Sequence, residues 1–361
     1  MSENESKKLL IAPLDWGLGH TSRCVPIIRY LLQQGHMVCF AGNKWQRNYM
    51  CKCVGPIETI HLDGYNISYG NKPWALKFTI LRQVPSIFKT IKQENKWLNE
   101  LLSQRHFDAV ISDNRYGLFN SKVPSYIICH QLQIISGAGS MVDMVLQKLH
   151  YKLLNKFQAT WVPDVKATHS ISGKLGHPNN LPLKCHFIGP LSAYSNMPAN
   201  NRQSLPLLVI LSGLEPYRQQ LSNILWLQIC SLGIKTVFIE GSNTAIPKAN
   251  VPNHIQYHLQ LSTTEIQPLM ALANIVICRS GYSSIMDLIA MGKMAILIPT
   301  PGQTEQEYLA NFHLKEGNFL SATQKGFQLS KFLQLAQNFN HAKNSSPMAF
   351  NTFQNVLKNY I

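Results

Sequence analysis

The sequence predicts an α/β protein built from two parallel-sheet domains. Short, wholly apolar runs such as Leu9 to Pro13 and Ile275 to Cys278 are typical of strands that are buried on both faces of a sheet. Each run is followed by a turn of small residues and then by helical periodicity, which is the order of a strand–helix–strand unit. Because the pattern occurs in both halves of the chain, two such domains are expected.

Residues 191–205 are predicted to link the two domains. This stretch is rich in Asn, Ser and Pro and shows no periodicity. The first domain is therefore placed at residues 1–190 and the second at residues 206–345. Residues 346–361 are predicted to form a terminal amphipathic helix.

The composition indicates a folded protein with anionic partners. Of the 361 residues, 45% are hydrophobic, which excludes a disordered chain. The formal net charge of +15 favours nucleotide diphosphates, lipid headgroups or nucleic acid as partners. No nucleic-acid-binding motif is present. The polar N-terminus, and the lack of an apolar run of about 20 residues, predict a soluble, cytoplasmic protein.

The cysteines predict neither disulfides nor a metal site. Eight cysteines are scattered along the chain, and Cys39, Cys129 and Cys278 fall in predicted buried strands. Cys51 and Cys53 are too close together for an ordinary metal-binding pair, and no second pair accompanies them. We therefore expect no metal and no cofactor.

A glycine loop follows the first strand. It reads Asp15-Trp16-Gly17-Leu18-Gly19-His20, and Thr21 is placed to cap the next helix. The loop superficially matches a dinucleotide-binding fingerprint, but Ser22 stands where the third glycine is needed. Asn43-Lys44, rather than an acidic residue, follows the second strand. A nicotinamide site is therefore disfavoured.

His20 and Asp113 are a candidate catalytic pair. A hydroxyl nucleophile needs a base with a pKa near neutral, which histidine supplies. Asp113 follows the predicted strand Phe107 to Ser112 at its carboxyl end, on the same rim as His20, where a carboxylate would orient the imidazole. The alternatives are a loop histidine that bonds only to backbone and a turn or helix-capping aspartate.

The segment from Ile275 to Asn311 predicts a phosphate site. Arg279-Ser280-Gly281 is a turn before a helix that begins at Ser283, and a helix N-terminus offers free N–H groups and a partial positive charge. Asp287, about one turn into the helix, is placed to accept hydrogen bonds from a ribose diol. The polar loop Gly302 to Glu307 follows the next strand, where ligands bind in open α/β sheets. An ordinary strand–helix–strand unit explains the spacing equally well.

These residues resemble glycosyltransferase family 28, the MurG-like group. That family carries Arg-Ser-Gly, then an acidic residue that binds the nucleotide ribose, then a Pro-led loop with a Gln-Gln pair that faces the donor sugar. Here Arg279-Ser280-Gly281 matches, Asp287 stands at the acidic position, and Gln306 matches the first Gln. Glu307 replaces the second Gln, which leaves the donor sugar open because a carboxylate only accepts hydrogen bonds.

The first half resembles the same family more loosely. The string Pro13 to Cys24 ends its glycine loop in Gly-His, as in the family, and is similar to a bacterial and archaeal branch of these transferases. His130 matches the family's His-Glu-Gln-Asn, but Gln131 replaces the Glu, which favours His20 as the base. Ser212-Gly213 fits the loop that touches the donor diphosphate, whereas the nearby Glu215 departs from it.

The resemblance implies the GT-B fold, in which two Rossmann-like domains face a central cleft and the terminal helix packs back on the first domain. It also implies an inverting, metal-independent transfer of a sugar from a UDP-sugar to an acceptor hydroxyl. N-acetylglucosamine is the sugar of the best-known members, and a lipid-linked or cell-envelope glycan is the expected acceptor. The implied acceptor-side residues are Gly17, Gly19 and His130, and the implied donor-binding residues are Ser212, Gly213, Arg279, Ser280, Gly281, Ser283, Asp287, Gln303, Gln306 and Glu307.

Two other functions fit the same residues. A UDP-sugar 2-epimerase shares the fold, and it would release an epimerised nucleotide sugar rather than UDP. A non-catalytic nucleotide-sugar-binding protein would keep the donor residues without needing His20.

Two basic amphipathic segments, Trp74 to Arg105 and Leu146 to Phe157, are candidates for docking on an anionic membrane. In the second segment Lys148, Lys152 and Lys156 recur at every fourth position. The simpler explanation is a pair of ordinary amphipathic helices with a solvated lysine face. The charge pattern therefore leaves a peripheral position on the inner face of the plasma membrane open.

Overall fold

The computed structural model describes residues 5–15, 17–65, 73–136, 139–166, 170–194, 204–213, 215–242, 244–339 and 352–361, with the backbone alone for 73–84. The chain divides into two compact units, and the first gives way to the second between Ala193 and Tyr194. Residues 195–203 of the predicted linker lie outside the described part of the chain.

The first unit is a seven-stranded parallel sheet with helices between most of its successive strands. Its elements are β1 (Lys8–Pro13), α1 (Leu18–Gln33), β2 (Met37–Gly42), α2 (Lys44–Val54), β3 (Glu58–His61), α3 (Pro73–Gln104), β4 (Ala109–Asp113), β5 (Ser125–Ile128), α4 (Ser140–Leu154), β6 (Ala159–Val162) and β7 (Cys185–Phe187). The strand order is β3-β2-β1-β4-β5-β6-β7. Pro13 lies opposite Asp113 in the β1–β4 register, so both strands end at the same edge of the sheet.

Helix α1 begins earlier than predicted. Its N-cap is Gly17, with φ of 72°, a backbone conformation that glycine adopts at little cost. The expectation that Thr21 caps this helix is wrong. Thr21 lies inside α1, fully buried, and its Oγ1 accepts a hydrogen bond of 3.1 Å from Gln46 Nε2. The earlier start places His20 in the first turn of α1, directly above the carboxyl end of β1.

The terminal helix α10 (Thr352–Tyr360) packs on the first unit. Phe353 and Leu357 are buried in the core that α1 forms with the sheet, and the Phe353 ring meets the Tyr30 ring edge-on at 5.8 Å. Thr352 Oγ1 donates to the Ile188 carbonyl at 2.9 Å. Burial of this one apolar face, rather than helix propensity, stabilises so short a helix.

The second unit is a six-stranded parallel sheet. Its elements are β8 (Leu205–Ile210), α5 (Tyr217–Leu232), β9 (Thr236–Ile239), β10 (Ile255–His258), α6 (Thr263–Leu272), β11 (Ala273–Cys278), α7 (Tyr282–Ala290), β12 (Met294–Leu297), α8 (Thr304–Lys315), β13 (Leu320–Ser321) and α9 (Leu329–Asn338). The strand order is β10-β9-β8-β11-β12-β13.

The register of the second sheet brings three loops together at one edge. Cys278 lies opposite Ile210 of β8 on one side and opposite Leu297 of β12 on the other. The residues that follow these strand ends, around Gly213, Arg279 and Thr300, are therefore neighbours in space although they lie far apart in sequence.

The described helices do not include one that is both long enough and apolar enough to span a membrane. All eight cysteines are free, which agrees with the prediction of reduced, structural cysteines. Cys39, Cys129 and Cys278 are buried, as their strand positions predicted.

Candidate functional site

A buried cluster of charged and titratable side chains lies at the carboxyl ends of β1, β4 and β5. His20 Nδ1 is 2.8 Å from Asp113 Oδ1, so the structure brings this predicted pair into hydrogen-bond contact. Arg23, one turn further along α1, holds both carboxylate oxygens of Asp113 through Nε and Nη2. Its Nη1 lies 3.1 Å from Nδ1 of His130, which follows β5. The His20 side chain is 13% exposed, whereas those of Arg23 and Asp113 are inaccessible.

The charges in this cluster are set by burial and by the ion pair. Burial alone would raise the pKa of Asp113, but the Arg23 charge, together with His20 and the hydrogen bonds of both residues, lowers that pKa to about 2. Burial lowers the pKa of His20 below its ordinary value, the Arg23 charge lowers it further, and Asp113 only partly opposes the shift. Asp113 is therefore ionised and His20 neutral near pH 7, which is the state that a general base needs.

The predicted acceptor-side glycines surround the start of α1. Gly17 is the exposed N-cap, and Gly19 lies in the first turn, where its carbonyl accepts from Ser22 Oγ at 3.1 Å. His130 is buried beside Arg23. These residues share one edge of the first sheet.

In the second unit, Arg279 is a buried cation that has no acidic partner among the described residues. Its Nη atoms donate only to backbone carbonyls, those of Ile298, Pro299 and Tyr217, at 2.8 to 3.1 Å. The residue is 1% exposed, and no carboxylate of the described residues forms an ion pair with it. Burial lowers the pKa of Arg279 to about 10, and the opposing influence of Cys278 is smaller than the effect of the lost hydration. The guanidinium remains charged at neutral pH.

Two buried polar atoms beside Gly213 have no hydrogen-bond partner in the described structure. They are Nε of Arg279 and Oγ1 of Thr300. A side-chain carbon built on Gly213 would lie 3.6 Å from Thr300 Oγ1 and 4.0 Å from Arg279 Nε, so the two atoms converge on this glycine. Gly213 has φ of +98°, which also disfavours any side chain there. Since buried polar groups are normally satisfied, these atoms indicate the place of a polar ligand.

Helix α7 begins next to Arg279. Its N-cap is Gly281, which has no side chain with which to cap the first-turn amides. Ser283 lies half-buried in the first turn, and Asp287 lies half-buried about one turn later. Ser280 is buried, and its hydroxyl donates to the Gln306 carbonyl at 2.8 Å, so it joins the start of α7 to α8.

The loop before α8 is held by its own side chains. Gln303 is the N-cap residue of α8. Gln306 Oε1 accepts from the Thr300 amide, and Glu307 Oε1 accepts from the Gly302 amide, each at 2.8 Å. The carboxylate that departs from the family's second Gln thus shapes the loop in which Thr300 lies.

Comparison with known proteins identifies the chain's relatives. Residues 235–360 match the glycosyltransferase family 28 C-terminal domain. An uncharacterized glycosyltransferase of Methanosarcina acetivorans is 26% identical over 333 residues, covering 86% of this chain and 84% of that protein. The UDP-N-acetylglucosamine–N-acetylmuramyl-(pentapeptide) pyrophosphoryl-undecaprenol N-acetylglucosamine transferase of Pasteurella multocida is 24% identical over 315 residues, covering 85% and 81%. The crystal structure of Acinetobacter baumannii MurG superposes with a TM-score of 0.57 at 15% identity, covering 98% of each chain.

The second half of the chain thus carries a family 28 C-terminal domain, and the chain is similar along most of its length to MurG-like GT-B glycosyltransferases. The predicted fold class and enzyme class are thereby confirmed. A transferase, rather than a 2-epimerase or a non-catalytic binding protein, is the function that these relatives support.

Sequence reasoning missed two residues of this glycosyltransferase's candidate sites, Arg23 and Thr300. Arg23 lies three residues after His20 in a helix whose neighbouring positions are buried. A buried arginine needs an acidic partner, and this rule would have pointed to Asp113. Thr300 carries no such signal, because its importance depends on a contact with a loop 87 residues earlier in the chain.

Glu215 is explained by the structure of the transferase. This carboxylate interrupts the family's diphosphate-binding loop in sequence. It accepts from Arg218 Nε at 2.7 Å and from the Gln219 amide at 3.2 Å. Glu215 therefore stabilises the first turn of α5, where a negative charge is favourable.

Replacing Asp113 by Asn should destabilise the enzyme by about 3–5 kcal/mol, because the buried Arg23 charge loses its partner. Urea-induced unfolding at pH 7 measures the change. The Asp113 contribution should be complete above its unfolded-state pKa of about 3.9 and should be lost as pH falls towards 2, since its folded-state pKa is lowered.

The matched control is Asp63→Asn, which removes a carboxylate that is 88% exposed and bonds to a histidine, His61. Its expected effect is below about 0.5 kcal/mol. Equal losses of unfolding free energy in the two variants would contradict the expected contribution of the Arg23–Asp113 ion pair to stability.

Proposed function

We propose that the enzyme transfers a sugar from a UDP-sugar to an acceptor hydroxyl, with inversion at the sugar and without a metal ion. N-acetylglucosamine is the proposed sugar, and a lipid-linked or cell-envelope glycan is the proposed acceptor, in line with the activity for which the Pasteurella multocida relative is named. The observation that carries the proposal is the pair of unpartnered buried atoms, Arg279 Nε and Thr300 Oγ1, beside Gly213.

A diphosphate suits this place because it supplies both negative charge and acceptor oxygens. Arg279 has a buried charge that no described carboxylate neutralises, and its Nε can only donate. Thr300 Oγ1 is a second donor at hydrogen-bonding reach of the same space. The adjacent N-terminus of α7 adds first-turn amides and a partial positive charge. In this proposal these groups stabilise the UDP leaving group as the glycosidic bond breaks.

The nucleoside and the sugar would then extend from the diphosphate in opposite directions. Asp287, half-buried on α7, is the proposed acceptor of hydrogen bonds from the ribose diol. The loop of Gln303, Gln306 and Glu307 is proposed to face the sugar. Because Gln306 Oε1 and Glu307 Oε1 already accept from the loop backbone, these two residues would act on the sugar partly by holding the loop in shape.

His20 is the proposed base that takes the proton of the acceptor hydroxyl. Asp113 holds Nδ1 of His20 at 2.8 Å and orients the ring, while the lowered pKa of His20 keeps it unprotonated near pH 7. The proton leaves the hydroxyl for His20 as the hydroxyl oxygen forms the new bond to the sugar. A side-chain carbon built on Gly17 would meet no atom within 4 Å, so the start of α1 has open space in which the proposed acceptor could lie.

Docking on an anionic membrane is proposed for helix α4. Met141, Met144 and Val145 on its outer face are 77%, 53% and 58% exposed, an unusual density of exposed large apolar side chains. Lys148 and Lys152 continue the same face, so apolar and basic groups lie side by side. The other predicted segment, Trp74 to Arg105, begins in α3, where side chains up to residue 84 lie outside the described part.

Replacing Thr300 by Val should weaken UDP binding by about tenfold or more, which is the usual cost of losing one hydrogen bond to a charged group. The same change should leave the melting temperature of the free enzyme unchanged or raise it, since Oγ1 has no partner to lose. Calorimetry with UDP and thermal unfolding without ligand measure the two effects.

The matched control is Thr323→Val, because Thr323 is an exposed threonine of the same unit whose hydroxyl bonds to the Lys325 carbonyl. It should bind UDP as the unchanged enzyme does. An unchanged UDP affinity in Thr300→Val would contradict the proposed diphosphate site. The variant Asp287→Ala tests the ribose contact separately.

The variant His20→Gln should lower turnover by about 10²–10⁴-fold while leaving the dissociation constant of UDP unchanged, because it removes a base and not a donor contact. UDP formation from UDP-N-acetylglucosamine, with a lipid extract as the acceptor source, measures turnover. An epimerised nucleotide sugar without free UDP as the product would contradict the transfer reaction.

The enzyme should sediment with phosphatidylglycerol vesicles at low salt and not with phosphatidylcholine vesicles. The double change Met141→Ser and Met144→Ser should weaken vesicle binding by about tenfold or more through lost apolar burial. Leu227→Ser with Ile246→Ser is the control, since those side chains are 71% and 80% exposed in the second unit. No sedimentation of the unchanged enzyme, or an equal loss in the control, would remove the docking proposal.

A further inference from the structure

Arg23 contacts three functional side chains at once. Its Nε and Nη2 bind the two oxygens of Asp113, its Nη2 lies 2.8 Å from His20 Nδ1, and its Nη1 lies 3.1 Å from His130 Nδ1. An arginine remains charged and has no hydrogen-bond acceptor. Each neighbour of Arg23 must therefore present a lone pair to it or satisfy its own hydrogen bonds elsewhere.

The contact with Arg23 determines the tautomer of His130. Because Nη1 can only donate, His130 Nδ1 must accept, and an accepting ring nitrogen carries no proton. In the neutral ring the proton then resides on Nε2. Any atom that meets His130 Nε2 must accept a hydrogen bond, so His130 is unable to remove a proton through that nitrogen.

His20 has the opposite tautomer. Its Nδ1 lies 2.8 Å both from Asp113 Oδ1 and from Arg23 Nη2. A lone pair on Nδ1 would face the lone pairs of an ionised carboxylate, whereas a proton on Nδ1 gives Asp113 a donor. Arg23 Nη2 already donates to that same carboxylate oxygen and does not need Nδ1. The proton therefore belongs on Nδ1, and Nε2 of His20 keeps its lone pair.

We propose that Arg23 is a positioning residue that acts on His130 directly and on His20 through the Asp113 carboxylate that it holds, so that the two histidines have opposite tautomers: His20 Nε2 accepts a proton and His130 Nε2 donates a hydrogen bond. This inference rests on the proposed transfer reaction for its functional meaning. It assigns the base role to His20 and excludes His130 from that role. If an acceptor hydroxyl lay beside His130 Nε2–H, its oxygen would accept the hydrogen bond from His130 through a lone pair. The proton of that hydroxyl would then point away from His130.

The charge of Arg23 acts in the same direction as its hydrogen bonds. The titratable or charged side chains that face His20 among the described residues are Asp113 of β4, Arg23 of α1 and His130 after β5. Of these, Asp113 favours a protonated His20, whereas Arg23 and His130 oppose it. Arg23 thus limits the influence of Asp113, so that the carboxylate orients the ring without holding a second proton on it.

Long-range ¹H–¹⁵N correlation spectra of the imidazole rings in the unchanged protein test the tautomers directly. We expect the Nδ1–H form for His20 and the Nε2–H form for His130 at pH 7.5. The variants His20→Gln and His130→Gln serve only to assign the signals. Nδ1 protonation of His130, or an Nε2–H form of His20, would overturn the proposal, and neither outcome depends on a donor, an acceptor or turnover.

A pH titration of the same signals tests the charge of Arg23. In Arg23→Gln the His20 pKa should rise by about one unit or more, because the opposing cation is gone and Asp113 remains. Arg29→Gln is the matched control, since Arg29 lies on the same helix and its Nη2 donates to the Cys53 carbonyl at 2.9 Å. It should destabilise α1 without moving the His20 pKa.

The two variants separate a positioning role from a merely structural one. An unshifted His20 pKa in a folded Arg23→Gln protein would overturn the proposal, as would an equal shift in Arg29→Gln. If Arg23→Gln does not fold, Arg23→Lys serves instead, because it keeps the charge but loses the bidentate contact with Asp113. His130 should then populate both neutral tautomers. UDP affinity tests the donor site in the other unit and should stay unchanged in Arg23→Gln, Arg23→Lys and Arg29→Gln. A failure of the proposed donor site is therefore distinguished from a failure of the Arg23 proposal.

Discussion

A buried guanidinium requires a nearby anion, and this constraint shapes both candidate sites. Four arginines of the described residues are buried: Arg23, Arg115, Arg218 and Arg279. Three have a carboxylate within the same unit, namely Asp113, Glu94 and Glu240 respectively. Arg279 has backbone carbonyls alone. In the first unit the protein supplies the anion, and in the second the proposed donor diphosphate would supply it.

The parallel sheet decides where these charges meet. Strands that run side by side end at one edge, and the loops that follow carry polar groups that would be costly inside the sheet. In the first unit this edge collects α1, Asp113 and His130 around Arg23. In the second it collects the loops of Gly213 and Thr300 with Arg279. The same topology thus positions two different polar clusters, the proposed proton site in one unit and the proposed anion site in the other.

Departures from the family pattern have local structural explanations. Glu307 holds the Gly302 amide, and Glu215 holds the start of α5, so each carboxylate is engaged with its own loop. Gln131 stands where the family has Glu, and its carbonyl accepts from Cys129 Sγ at 3.5 Å. With no carboxylate at that position, the carboxylate that contacts His20 is Asp113, which reaches the cluster from β4.

Local sequence determined the α/β class, the two sheets, the turn of Arg279 to Gly281 and the placement of His20 and Asp113 at one edge of the first sheet. These features depend on periodicity, turn chemistry and strand ends, which are properties of short stretches of chain. The start of α1 was misplaced because Gly17 could cap the helix as well as Thr21 could. The positions of Arg23 and Thr300 in the candidate sites were visible only in the tertiary structure, because they depend on residues that lie 87 to 107 positions apart in sequence. Such contacts are set by strand order and register, and nothing in the local sequence of either residue records them.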